Sequence, residues 1–362
     1  MPGSIPAMGH PTLWWIWRRV GMCPTDRPPI WEPARLRSWP QPSAAPSRAT
    51  LCGSATEASS RIREHSSRIR DHSLRIGVDS YSYHRFFGEL RTSESPAEQR
   101  WTTDDFLNCC SELGVEGVSL ETCFLDSGAD ANVESLRQRL DQHGFERVLA
   151  WGHPDGLAMG LDRDAFADAL AAVDQAAGLG CNLLRIVIGT TRHFGHEDET
   201  EVLRRVVPQV AQITEKADQC GLDVAIETHC DLTTESVGEL IEQVASPQLG
   251  VVFDSANVVR IGDDLLTAAA ALAPHTKMIH AKDLDLGSST PGDPGGHWPG
   301  VPLGHGDLDI DQALAVMNEA GFDGLACVEV ADMAPGWSEH EIVAQSVDWL
   351  TKFATERYSC PE

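Results

Sequence analysis

Four short apolar runs in the C-terminal half of the chain share one design, and they decide how the rest of the sequence is interpreted. They are LDVAIETH (222–229), LGVVFDSAN (249–257), TKMIHAKDL (276–284) and FDGLACVEV (322–330). Where the apolar stretch of each run ends, a residue follows that can bind a metal ion. In chain order these residues are Glu227, Asp254, His280 and Glu329.

Side chains on a β-strand alternate between its two faces. In the first run Ala225, Glu227 and His229 therefore share one face, and Val224 and Ile226 share the other. Strands with an apolar outer face, and polar residues inside only near their C-terminal ends, are typical of a parallel barrel surrounded by helices. We therefore expect the four candidate ligands to converge on one rim of such a barrel.

Strand and helix patterns alternate without a break over residues 74–356 and form eight strand-helix pairs. Eight such units in roughly 280 residues match a single-domain (β/α)8 TIM barrel, an α/β fold whose functional groups lie at the C-terminal ends of its strands. The alternative is a doubly wound open sheet, but no glycine-rich phosphate-binding motif follows the first strand. One connection, 287–307, is unusually long, and we expect it to act as a lid over the functional rim.

The N-terminal stretch differs in composition from the rest of the chain. Up to Ile76 it carries 11 Arg, no Lys and 5 acidic residues, a net charge of +6, and it lacks a sustained apolar period. We expect residues 1–73 to be a disordered leader, or to be encoded upstream of the start codon that the cell uses. Residues 357–362 are expected to form a C-terminal tail.

The remainder of the chain is strongly acidic. The whole chain has a net charge of −26. Because the stretch up to Ile76 carries +6, the remainder carries −32, and it contains only four Lys. Such a surface repels nucleic-acid phosphates, and it suits either a salt-rich host or an ordinary acidic cytosolic protein. No apolar run is long enough to span a membrane. The ten Cys lack CxxC spacing, which favours a reducing, cytoplasmic setting.

The four candidate ligands offer carboxylate oxygen and imidazole nitrogen, without sulfur. This set suits one divalent ion, Mn²⁺, Mg²⁺, Co²⁺ or Zn²⁺, and leaves positions open for two substrate oxygens. For each residue alone, a helix cap or an ion pair at the barrel mouth is the alternative. Four such residues on one rim favour the metal site.

Further candidates lie near the same rim, and each also has a purely structural interpretation. His229 is placed to be a second base or a substrate hydrogen-bond donor, and Lys282 to neutralise an oxyanion or a phosphate. Arg185 has inward parity on the fourth strand, and a buried Arg must pair with a carboxylate or with the substrate. Glu121 and His153 stand at the ends of the second and third strands and are weaker substrate-binding candidates.

The motifs AIETH, VVFDSAN, IHAKD, LGHGDLD and CVEV resemble those of the xylose isomerase-like barrels. That family includes sugar phosphate isomerases and epimerases, ketose 3-epimerases, inosose dehydratases and endonuclease IV, and the resemblance covers residues 74–356. It implies that one divalent metal is held by the four residues Glu227, Asp254, His280 and Glu329. It also implies that Glu227 and Glu329 act as acid and base on opposite faces of the substrate.

Two positions depart from the ketose 3-epimerase pattern. Asn257 stands where those enzymes usually have His, and Lys282 and a run of acids occupy the region where they place an Arg. Both positions help to hold substrate in that branch, so Asn257 joins Lys282 as a substrate-binding candidate. The E-x-H and H-x-K-D patterns are more similar to the inosose dehydratase and isomerase branch, and to metal-dependent lyases that act on 3-keto sugars.

The sequence therefore predicts a divalent-metal-dependent isomerase or epimerase of a sugar or sugar phosphate, acting by proton transfer next to a carbonyl through an enediolate. An inosose-type dehydratase or 3-keto-glycoside lyase on the same site is the alternative. A non-catalytic barrel that binds a sugar or a partner subunit is a hypothesis of another class. The expected partner is a small sugar or cyclitol, and the oligomeric state is left open, a homo-oligomer included.

Overall fold

Eight parallel strands close into a barrel in the computed structural model, which describes residues 74–91, 94–125, 132–287 and 298–357. The strands are β1 (Arg75–Asp79), β2 (Gly117–Glu121), β3 (Glu146–Ala150), β4 (Leu183–Ile186), β5 (Asp223–Glu227), β6 (Leu249–Asp254), β7 (Thr276–Ala281) and β8 (Leu325–Val328). Each strand pairs in parallel with its chain neighbours, and β8 pairs with β1. The predicted leader and residues 358–362 of the predicted tail lie outside the described residues.

One long helix follows each strand before the next strand begins. These helices are α1 (Thr103–Leu113), α2 (Val133–His143), α3 (Arg163–Leu179), α4 (Glu199–Gln219), α5 (Thr234–Val244), α6 (Leu265–Leu272), α7 (Ile310–Glu319) and α8 (Glu339–Arg357). The predicted (β/α)8 barrel is confirmed, and the open-sheet alternative is wrong because the sheet closes. Within the described part of the chain, no helix has the length and apolar character needed to cross a membrane.

Local sequence signals explain where the helices begin and end. Thr102 and Asp105 form a capping box at the start of α1, and the Asp162 carboxylate accepts two backbone N–H groups at the start of α3. Gly114 and Gly144 follow α1 and α2 with φ of 71° and 73°, the left-handed region that a residue with a Cβ rarely adopts. These caps satisfy terminal backbone groups and direct the chain into the next strand.

Two apolar cores stabilise the barrel. The larger one lies between the strands and the surrounding helices. The smaller one fills the barrel interior with Val148, Leu183, Ala225, Val252, Met278, Leu325 and Cys327. Four of these precede a candidate ligand by two residues, so the alternation predicted from the sequence is confirmed. This interior core forms the floor beneath the functional rim.

The connection after β7 is ordered around one carboxylate. Asp283 and Leu284 pair antiparallel with Gly300 and Val301. The two oxygens of Asp283 accept backbone N–H bonds of 2.9, 2.9 and 3.1 Å from three residues of the returning segment. These residues are Gly304, Gly306 and Leu308. Residues 288–297 of the predicted lid lie outside the described part of the chain, so the lid stays a prediction.

Candidate metal centre

The structure brings the four candidate ligands together at the C-terminal rim. Glu227 and Asp254 end β5 and β6, His280 is the penultimate residue of β7, and Glu329 follows β8 directly. One donor atom of each residue lies within 4.8 Å of the others, and all four side chains are buried. The ring Nδ1 of His280 lies 2.6 Å from Glu329 Oε2, 3.5 Å from Glu227 Oε1 and 3.7 Å from Asp254 Oδ2.

Asp254 caps a helix and is also placed for the second role that the sequence left open, that of a metal ligand. Its Oδ1 accepts the backbone N–H groups of Ala256 and Asn257 at 3.0 and 2.9 Å, and so caps a short helix, Ser255–Arg260. Its Oδ2 faces the other candidate ligands. The cap therefore fixes the carboxylate and leaves one oxygen for the site.

The donor atoms fit a divalent cation. Nδ1 of His280 and Oε2 of Glu329 are buried, and neither makes a hydrogen bond of normal geometry although they are close together. A buried polar atom without a partner costs about 1–3 kcal/mol. A cation among three carboxylates and one imidazole would satisfy these atoms, and oxygen and nitrogen donors without sulfur suit Mn²⁺, Mg²⁺, Co²⁺ or Zn²⁺.

Lys282, predicted to lie near the rim, is located at the site. Its ammonium Nζ is 2.7 Å from Asp254 Oδ2 and 2.8 Å from Glu329 Oε1. The side chain is 8% exposed, so this ammonium is largely removed from water. Lys282 therefore places a positive charge between two of the candidate ligands.

Arg185 and Glu121 form a second charged group on the opposite side of Glu227. The Arg185 Nε is 3.2 Å from Glu227 Oε2, and its Nη2 donates to the Glu121 carboxylate. All three side chains are buried. The pairing of Arg185 with a candidate ligand carboxylate is one of the two roles that its buried position predicted.

The other predicted residues are placed differently from one another. Asn257 is buried, and its amide donates to Glu227 Oε1 at 3.2 Å. His229 is partly buried at the rim, and its Nδ1 lies 3.1 Å from the Gly189 carbonyl oxygen. His153 stacks on Trp151 with ring centroids 5.2 Å apart. Among the described contacts, none joins His153 to the four candidate ligands.

A family model described as a xylose isomerase-like TIM barrel matches residues 107–353. The chain belongs to this family. Similar curated relatives are an inosose isomerase of Halalkalibacterium halodurans, 27% identical over 140 residues, and a 3-oxo-isoapionate decarboxylase of Pectobacterium atrosepticum, 26% identical over 182 residues. The matches cover 36% and 50% of this chain, and 48% and 60% of the relatives. The chain thus spans about half the length of the curated relatives it matches.

Three solved structures share the barrel. A xylose isomerase domain protein from Planctomyces limnophilus has a TM-score of 0.61 at 21% identity, covering 80% of this chain and 99% of that one. An IOLI protein with a bound zinc atom has a TM-score of 0.60 at 15% identity, covering 79% and 98%. A xylose isomerase-like protein from Mycobacterium smegmatis in complex with magnesium has a TM-score of 0.59 at 16% identity, covering 80% and 99%. At these identities the likeness establishes the fold.

Electrostatics in this xylose isomerase-like barrel keep both site glutamates ionised. Burial alone would raise the pKa of Glu227, but Arg185 and His280 together hold that pKa well below its ordinary value. Burial likewise opposes ionisation of Glu329, yet Lys282 and His280 hold its pKa well below the usual range. Burial and the neighbouring acids raise the pKa of Glu121 to about 8, against the opposing effect of Arg185.

The sequence interpretation missed Asp79, which ends β1. Its side chain is fully buried, and its Oδ2 lies 3.5 Å from the Nε2 of His280. Asp79 has the inward parity of Gly77, and Gly77 stands beside Cys327 in the barrel register. An acidic residue at the inner C-terminal end of β1 is the signal that could have identified it.

Proposed function

We propose that this protein is a divalent-metal-dependent isomerase or epimerase that moves a proton next to the carbonyl of a sugar or cyclitol. The observation that carries the proposal is the convergence of one donor atom from each of four buried residues within 4.8 Å. Three carboxylates and one imidazole form an open donor set, which leaves coordination positions for substrate oxygens. Glu227, Asp254, His280 and Glu329 would hold the ion.

The chemistry divides between the ion and two carboxylates. A bound divalent ion supplies Lewis-acid stabilisation of negative charge on the substrate oxygens. Glu227 and Glu329 stand on or beside strands separated by three steps around the barrel, so they reach a central substrate from different sides. Because both are ionised at neutral pH, one takes the proton from carbon to give an enediolate and becomes a carboxylic acid. Either that acid returns the proton, or the other glutamate supplies one that it has taken from water, while the first acid releases its proton to water. Return to the opposite face gives an epimer, and return to the adjacent carbon gives an isomer.

Other groups in the site orient these two carboxylates. Arg185 and Asn257 hold one oxygen each of Glu227, and Lys282 holds one oxygen of Glu329. His229 lies at the rim above this arrangement and is the reserve candidate for a second base. The similarity to an inosose isomerase and to an IOLI protein with a bound zinc atom supports a metal-dependent reaction on a cyclitol or sugar.

Lys282 favours a second candidate, a lyase reaction such as dehydration or decarboxylation. Its ammonium lies 2.8 Å from Glu329 Oε1, so a proton donor and a base stand side by side. A β-hydroxyl that leaves needs such a donor, and a substrate carboxylate needs a cation. The similarity to a 3-oxo-isoapionate decarboxylase is consistent with this alternative.

Metal analysis of the purified protein, followed by a substrate screen in deuterated water, tests the proposal. We expect about one divalent ion per chain and deuterium uptake at the carbon next to the carbonyl of an inosose, ketose or 3-keto glycoside. Asp254→Ala and His280→Ala should each lose most of the metal while keeping the fold. His153→Ala is the matched control on the same rim.

Three outcomes separate the hypotheses. Full metal occupancy in both ligand variants would mean that the ligands are wrongly chosen. Release of water or carbon dioxide together with deuterium uptake would select the lyase alternative. Metal binding without uptake from any compound would favour the non-catalytic barrel.

A further inference from the structure

The carboxylate of Asp79 is divided between two partners. Its Oδ1 accepts the backbone N–H of Tyr81 at 2.7 Å, which caps the short helical turn after β1. Its Oδ2 points to the ring of His280 and lies 3.5 Å from Nε2. Both side chains are fully buried, and neither Oδ2 nor Nε2 has another hydrogen-bond partner among the described residues. Each atom is therefore the available partner of the other.

The two nitrogens of His280 face opposite surroundings. Nδ1 lies within 3.7 Å of three carboxylates, those of Glu227, Asp254 and Glu329. Nε2 faces Asp79 alone among the acidic groups within ion-pair distance in the described chain. A neutral imidazole carries one proton, and the hydrogen bond made by one nitrogen decides which nitrogen keeps its lone pair.

We propose that Asp79 is a positioning residue that accepts the Nε2 proton of His280 and so presents the Nδ1 lone pair to the divalent ion. The inference rests on the metal centre of the proposed function. It adds β1 to the four strands, β5 to β8, that position this centre. A carboxylate behind a ligating histidine fixes the tautomer and the ring orientation and makes the ligand more basic. None of the three candidate carboxylate ligands can do this, because all three lie on the Nδ1 side of the ring.

Asp79 is well placed to hold the ring still. Its backbone is in β1, which pairs with both β2 and β8, and its Oδ1 is fixed by the Tyr81 N–H. The carboxylate cannot turn without losing that cap, so its second oxygen is directed at one point in the barrel. The ring of His280 meets this oxygen in a region closed to water.

Asp79→Asn is the most informative variant because it preserves volume and changes one atom. If the Asn oxygen keeps the Tyr81 N–H, its NH₂ group faces Nε2 and donates to it. That hydrogen bond places the ring proton on Nδ1, the atom needed by the metal. Asp79→Ala removes the acceptor altogether, so that neither the Nδ1-protonated nor the Nε2-protonated form of His280 is favoured by residue 79.

Calorimetric titration of the full chain with ZnCl₂ or MnCl₂, without substrate, measures the effect. We expect both variants to bind the ion roughly 10- to 100-fold more weakly than the wild type. Ser119→Ala is the matched control, since Ser119 is buried beside Asp79 in the β1–β2 register and makes no described contact with His280. Its affinity should equal that of the wild type. Thermal melting of the metal-free proteins checks that each variant is folded.

Nuclear magnetic resonance of ¹⁵N-histidine-labelled, Zn²⁺-loaded protein observes the Nε2 proton of His280 directly. If Asp79 only stabilised the fold, its substitution would leave this signal unchanged. The wild type should show one downfield, slowly exchanging proton bonded to Nε2 of His280, assigned by its absence in His280→Ala. In Asp79→Ala this proton should move upfield and exchange faster at saturating zinc. In Ser119→Ala it should be unchanged.

The outcomes distinguish this inference from the proposed function. Wild-type metal affinity in both folded Asp79 variants, with an unchanged Nε2 proton, would overturn the role of Asp79 and leave the metal-dependent function in place. A wild-type chain that binds neither ion would overturn the metal-dependent function and the role of Asp79 with it. A variant that fails to melt cooperatively while the other folds and keeps its affinity would also count against the inference.

Discussion

Glu227 and Glu329 are ionised for the same reason but are held differently. Both oxygens of Glu227 have a partner, Arg185 on one and Asn257 on the other, whereas Glu329 has Lys282 on one oxygen. Substituting either glutamate by Gln keeps an oxygen donor and removes the base. We expect metal to be retained and turnover to fall by roughly two to four orders of magnitude. Metal content and steady-state rates on the substrate found in the screen measure both effects.

A matched Glu→Gln change at the other end of the barrel controls for this prediction. Glu146 begins β3 and pairs with Arg75 near the N-terminal ends of the strands. Glu146→Gln should leave turnover nearly unchanged. Near-normal turnover in Glu329→Gln would rule out the pair, and His229 would become the leading second base.

Asp231 gives the folded protein a pH dependence of known sign. It is buried, accepts the N–H groups of Gly189 and Leu232, and has its pKa raised by burial to about 6. A raised pKa means that the folded state holds this proton more tightly than the unfolded chain. The stabilisation is present at low pH and is lost as pH rises from about 4 to 6, by up to about 3 kcal/mol.

Urea unfolding of wild type and Asp231→Asn between pH 4 and pH 7 measures this contribution. The variant lacks this titrating carboxyl. Relative to the wild type, its unfolding free energy should therefore increase by up to about 3 kcal/mol as pH rises. Asp285→Asn is an exposed substitution on the same rim, and its unfolding free energy should change with pH in parallel with that of the wild type. Parallel profiles for wild type and Asp231→Asn would mean that the carboxyl has an ordinary pKa.

Individual residues show what the sequence could and could not predict. Strand alternation was enough to bring Glu227 and His280 together, because parity is a local property. Substrate binding by Asn257 stays a prediction. The sequence did not predict that the Asn257 amide also donates to Glu227, because this residue lies in an unpredicted short helix, Ser255–Arg260. Asp79 was missed because its partner is 201 positions away along the chain and appears only when the barrel closes.

Elements follow the sequence where the signals are periodic. The alternating strand and helix patterns predicted the order of the whole barrel. The connection after β7 was predicted to be long, but the shape of such irregular connections was not predicted, because it depends on single long-range contacts. The segment after β7 is the clearest case. Its chain folds back so that three backbone N–H groups reach the two oxygens of Asp283, and no periodic sequence pattern predicts these contacts.

Asp283 is therefore expected to control the order of this connection. Asp283→Ala leaves the N–H groups of Gly304, Gly306 and Leu308 without their acceptor, at a cost of about 1–3 kcal/mol for each that stays buried. Hydrogen-deuterium exchange should accelerate over residues 303–309 and stay unchanged in α3. Asp285→Ala, whose carboxylate accepts one local N–H from Gly287, is the control. Unchanged exchange over 303–309 would show that the pairing with Asp283–Leu284 suffices.

At the scale of the whole molecule, charge is separated along the chain. The stretch up to Ile76 carries +6 and the remainder −32. Even if each of the 17 basic residues of the remainder pairs with an acid, 32 of its 49 acidic residues have no basic counterpart. Self-repulsion therefore opposes the compact state and is strongest at low ionic strength.

Stability should consequently rise with salt. Between 0.01 M and 1 M KCl the Debye length shortens from about 30 Å to about 3 Å, which removes most repulsion between exposed carboxylates. We expect the melting temperature of the full chain to increase over this range. A chain that starts at Ser73 lacks the basic leader and is more negative, so its increase should be steeper if repulsion is the cause. A flat or falling melting temperature in both chains would exclude self-repulsion as the limiting term, and with it the adaptation to a salt-rich host.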